Sequence, residues 1–205
     1  MYFYLLWSLA AAAHVQTSVP SADTWAWVRE VHDDVWERVA IVSQPSGLRP
    51  AVDDDDWQIL VTAIDGYDSY SWQFLLRKPW RAELELSYVH LAGSLAGRLA
   101  DLREREHNLT VDAAVDLLAP RRLHLNSRSC PKLKDLGTDL ETLEIRVLPE
   151  RSLTLHSPAY EVHIVPTYRA SIQLTVRENE NGLALWSASV IEASLACGGN
   201  PDNTR

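Results

Sequence analysis

The order of apolar and polar positions divides the chain into alternating helical and extended stretches. Val28, Val31, Val35 and Val39 recur at helical spacing, flanked by Trp25 and Trp36. Arg29, Asp33, Glu37 and Arg38 fall on the opposite side, so the pattern predicts an amphipathic helix over 21–42. Trp57 to Ile64 is apolar on both faces and reads as a strand. Trp72, Phe74 and Leu76 alternate as a second strand after a turn at 65–69, and Leu84, Leu86 and Tyr88 as a third beyond the break at Arg77-Lys78-Pro79. A helix is predicted from about His90 to Glu106, with Leu91, Leu95, Leu99 and Leu102 on one face. A short helix over 111–118 follows, capped from Asn108-Leu109-Thr110, which is formally also a glycosylation sequon.

The second half repeats the order of elements. Leu133, Leu136, Leu140 and Leu143 mark a helix that Pro149 stops. Ser152 to His156 and Tyr160 to Val165 read as short strands around Ser157-Pro158, and Ile172, Leu174 and Val176 as another. After the turn at Asn181-Gly182, the residues Leu183, Trp186, Val190, Ala193 and Cys197 return to helical spacing. The predicted class is α+β, with antiparallel sheets flanked by helices. Each half reads α-β-β-β-α. Two arrangements follow: similar units in tandem, 21–120 and 121–205, divided at the polar, basic stretch Pro120 to Arg128, or one continuous sheet built from both sets of strands. No residue-level repeat links the halves.

The two cysteines bracket the second half. Cys130 precedes Pro131 at a helix start, and Cys197 precedes Gly198 at a helix end, where a left-handed glycine is expected. A disulfide between them ties the start of this unit to its end; the alternative is two buried free thiols. Residues 2–13 form an uncharged apolar run, too short to span a bilayer, that resembles a signal-peptide core with small residues after it. It lacks the usual basic residue in front, and a first element of the folded domain is the competing reading. A signal peptide over 1–20 and a disulfide agree on a periplasmic or secreted location, with no stable membrane insertion after cleavage. Sixteen arginines against three lysines is the usage of a GC-rich coding sequence and points to a bacterial protein.

Charge narrows the partners. A formal net charge of −9 excludes a general nucleic-acid binder, which needs a basic surface to neutralise phosphates. The densest acidic run is Asp53-Asp54-Asp55-Asp56, a candidate binding point for a basic partner. Four consecutive aspartates do not give the alternating ligand spacing of a calcium loop, and a solvated strand-entry loop explains them as well.

The usual catalytic spacings are absent. Gly93-Ser94-Leu95-Ala96-Gly97 has its serine in the wrong place for a nucleophile elbow, and no phosphate-cradling glycine loop or His-Glu-x-x-His occurs. No cofactor is expected. Two loose constellations remain. His156, Glu161 and His163 could meet on one face of a hairpin as zinc ligands, or lie on a solvent-facing strand surface. His32-Asp33-Asp34 with Glu37 places two carboxylates one helical turn apart, as an acid–base pair or a wet helix face. The expectation is therefore a non-enzymatic binding protein with a protein partner, of inhibitor or immunity type. The alternatives are a small envelope hydrolase without a recognisable motif and an envelope assembly or structural factor.

Overall fold

A computed structural model describes residues 19–42, 48, 57–64, 69–79, 82–143, 159–167, 170–177 and 182–198. The first helix, α1 (Ala22–Val39), opens where Ser21 Oγ accepts the Thr24 N–H at 3.1 Å. It buries the predicted valine stripe together with Trp36. Three strands follow as an antiparallel meander: β1 (Trp57–Ile64), β2 (Tyr70–Lys78) and β3 (Glu85–His90). Helices α2 (Leu95–Arg105) and α3 (Val111–Leu118) pack against α1 and each other.

The second half completes the same sheet. Strand β4 (Arg121–Asn126) pairs with β3, and after α4 (Lys132–Glu141) strand β5 (Ala159–Thr167) pairs with the free side of β1. Strand β6 (Ala170–Arg177) pairs with β5, and α5 (Gly182–Cys197) follows. The result is one six-stranded antiparallel sheet in the order β4-β3-β2-β1-β5-β6. The α+β class holds, and the strands of the two halves join in a continuous sheet instead of closing two sheets of their own.

The two faces of the sheet differ. One carries Ile59, Val61, Phe74, Leu76, Leu86, Tyr160 and Val162 into a core with Leu133, Leu183, Trp186 and Val190 of α4 and α5. The Cys130–Cys197 disulfide lies in that layer and joins the start of α4 to the end of α5. The other face is mixed over β1, β2 and β5, where the apolar Leu60 and the polar Thr62, Gln73 and His163 are all buried. Helices α1–α3 form a second core with Val89 and Leu91 around the end of β3.

Three details differ from the expected pattern. The stretch starting at His90 is not helical at first: His90 ends β3, Gly93 turns the chain at φ +106°, and Ser94 caps a helix that begins at Leu95. The leucine spacing did not register Leu91 as a buried turn residue. The polar, basic stretch Pro120 to Arg128 holds a strand, β4: Leu123 and Leu125 face the first core, while Arg122 and His124 lie on the other face, where Arg122 Nη2 donates to the Val39 carbonyl at 2.6 Å. Gly198 is not left-handed. Its place is tight instead, since a Cβ there would stand 3.0 Å from the Ser194 carbonyl oxygen and 3.0 Å from Leu123 Cδ1. The apolar run 2–13 and the strand predicted at 152–156 lie outside the described residues.

Candidate functional site: a cleft between the first two helices

A cleft of about 630 Å³ opens between α1 and the start of α2. Trp25, Val28, Arg29 and His32 line it from α1, Ser69 from the approach to β2, and Ser94, Ala96 and Gly97 from the first turn of α2. Helical spacing explains the α1 contribution. Val28 belongs to the buried stripe, and Trp25, Arg29 and His32 follow that stripe's edge at intervals of three and four.

The wall of the cleft is held by a chain of contacts. His32 stacks on Tyr70 with ring centroids 5.2 Å apart, and Tyr70 stacks on Trp36 at 4.5 Å. Burial and the nearby Asp33 charge raise the Tyr70 phenol above its ordinary pKa, so it stays neutral at physiological pH. His32 Nδ1 lies 3.0 Å from Asp33 Oδ1 and its Nε2 lies 3.3 Å from Ser69 Oγ. The same Ser69 oxygen accepts the Ala96 N–H at 2.8 Å, and Ser94 Oγ accepts the Gly97 N–H at 3.2 Å. Ser69 is only 1% exposed. It therefore ties the N-terminus of α2 to the sheet, satisfying an amide that has no partner within its own helix.

Asp33, His32 and Ser69 lie in the order of a carboxylate–imidazole–hydroxyl relay. The surroundings do not complete it: Asp33 is 88% exposed at its side chain, and Ser69 is enclosed with its oxygen already accepting a backbone N–H. The arrangement orients His32 and braces α2.

The other candidates are dispersed. Glu161 and His163 share one face of β5, as their spacing predicts, but His163 is buried and not solvent-facing. Both border a small hollow of about 150 Å³ with Trp36, Leu60, Tyr70 and Gln73. Burial lowers the His163 pKa, opposed by the Glu161 charge. His156, the third proposed ligand, lies outside the described residues, as does Asp53-Asp54-Asp55-Asp56. Among the described residues no group of three or more His, Cys, Asp or Glu side chains is placed to hold a metal ion. On α1 the acidic cluster separates: Asp33 meets His32, Asp34 pairs with Arg38, and Glu37 is exposed.

Sequence reasoning did not find this cleft. Ser69 stood only in a turn and Ser94 only in a rejected catalytic motif; the contact that makes them neighbours spans 27 residues from Ser69 to Ala96. No family model, curated protein or solved structure matches the chain.

Proposed function

We propose that this chain is a non-enzymatic binding protein of the periplasm or secreted space, and that the cleft between α1 and α2 takes an apolar group of its ligand. The observation that carries this reading is the cleft itself: an opening bounded by Trp25, Val28, Ala96 and Gly97, in the size range that receives a single small molecule. Support for the compartment comes from the disulfide, which fits an oxidising extracellular environment, and from the leader-like sequence of residues 2–13. No described helix is long and apolar enough to cross a membrane.

The inhibitor or immunity-type form of this reading supplies the apolar group from a protein partner. A cleft of about 630 Å³ takes a small molecule whole, or one anchoring side chain of such a partner. The test is an apolar fluorescent dye titrated into the oxidised protein. Competition by small apolar molecules, lost in Gly97→Leu, supports the reading. Dye binding that ignores this substitution counts against it.

A hydrolase reading has one observation in its favour, the Asp33–His32–Ser69 alignment. It requires that a serine-directed fluorophosphonate label the protein at Ser69. The enclosed position of that serine leads us to expect no labelling.

A further inference from the structure

The polar groups of the cleft are unequally engaged, and this indicates what the ligand carries. Both nitrogens of His32 have partners, as do the hydroxyls of Ser69 and Ser94, and the Ala96 and Gly97 amides donate to those two serines. Arg29 is different. It lines the cleft, is exposed, and takes part in no hydrogen bond or ion pair among the described residues. Arg38 pairs with Asp34 and Asp112, and Arg103 with the Leu109 carbonyl and the Trp27 ring, while Arg98 and Arg105 of α2 lie away from the cleft lining.

An unpaired guanidinium beside apolar walls is complementary to an anion with an apolar body, a local attraction set against the overall net charge of −9. Resting on the cleft being the binding site, we propose that its ligand is a small amphiphilic monocarboxylate. The apolar body packs against Trp25 and Val28, and the carboxylate meets Arg29 at the mouth. A guanidinium presents paired N–H donors that match the two oxygens of a carboxylate, a geometry that a hydroxyl head cannot use. At the rim this pairing is half in water, so its contribution is modest and salt-sensitive.

The experiment compares octanoate with octan-1-ol by calorimetric titration into the wild-type protein and into Arg29→Gln. Octanoate is expected to bind about fivefold tighter than octanol, the return of one exposed ion pair, with the preference shrinking as salt rises. In Arg29→Gln that preference disappears while octanol binding is unchanged. Octanol binding as tightly as octanoate, or a preference that survives Arg29→Gln, overturns the carboxylate assignment and leaves the cleft as an apolar site. Failure of both probes to bind at about 1 mM, within the aqueous solubility of octanol, overturns the cleft as well.

Discussion

Gln73 and Val42 exchange two hydrogen bonds: the Val42 N–H donates to Gln73 Oε1, and Gln73 Nε2 donates to the Val42 carbonyl, both at 3.0 Å. The same Oε1 accepts the Ile41 N–H at 2.9 Å, and Nε2 also reaches Thr62 Oγ1 at 2.9 Å. A buried side-chain amide thus pairs with the chain leaving α1 as a neighbouring strand does. It holds the end of the first helix to this face of the sheet, and all four of its hydrogen-bonding positions are used.

Replacing that amide leaves the buried Thr62 hydroxyl and the partly buried Ile41 and Val42 backbone groups without this partner. Gln73→Leu is expected to destabilise the protein by about 3 kcal/mol, since each enclosed unsatisfied group costs about 1–3 kcal/mol. Urea denaturation checks this: the midpoint should fall while the slope is unchanged. An unaltered midpoint would mean that the segment after α1 contributes nothing to global stability.

How far the sequence reveals this architecture follows from the range of each interaction. The valine stripe of α1, the alternation in β1–β3 and the helical spacing of α5 are local, and each is visible in the order of residues. The Cys130–Cys197 pairing was legible because only two cysteines exist. Whether the strands closed one sheet or two was not legible, because β1 is apolar on both faces and shows no preference for a second neighbour. Gln73 lies between the alternating Trp72 and Phe74, and nothing near it in sequence announces Val42 as its partner. The cleft is likewise a product of tertiary contacts: Arg29 looked like any wet-face residue of α1 until α2 was placed beside it.

The continuous sheet makes a prediction about fragments. Strand β5 pairs with β1 over seven residue pairs, Gln58↔Val165 to Ile64↔Ala159, and β4 lies on the far side of the sheet against β3. Residues 130–205 alone therefore lack the strand on which β5 is built. With the disulfide formed, this fragment should show no cooperative thermal transition by circular dichroism. A cooperative transition would restore the two-unit organisation.

The disulfide closes a loop of 67 residues between Cys130, which is fully buried, and Cys197. In the chain-entropy model a loop of that length stabilises the fold by about 4 kcal/mol. The oxidised protein and the double variant Cys130→Ala with Cys197→Ala should differ by about that amount in denaturant unfolding. Equal stabilities would show that the helices α4 and α5 are held by packing alone.

Acid should weaken the fold before the carboxylates titrate. Burial lowers the pKa of His163, against the opposing charge of Glu161, and burial together with Arg121 lowers that of His90. Each imidazole thus binds fewer protons folded than unfolded. Their effect is absent above the unfolded value of about 6.5 and grows as pH falls through it, until the folded pKa is passed. The pKa values of Glu83 and Glu104 are lowered instead, by hydrogen bonds from Ser127 and Thr24, so their stabilisation is lost only in more acidic solution. The melting temperature should drop between about pH 7.5 and 5.5, and His163→Gln should reduce that drop. A slope unchanged in the variant would assign the effect elsewhere.

The cleft is tested most directly by amide NMR of the oxidised, isotope-labelled protein during an octanoate titration. Saturable shifts are expected at Trp25, Arg29, Ser94, Ala96 and Gly97, with the β5–β6 and α4–α5 amides unmoved. Shifts that cluster on another surface, or none at all, would contradict it.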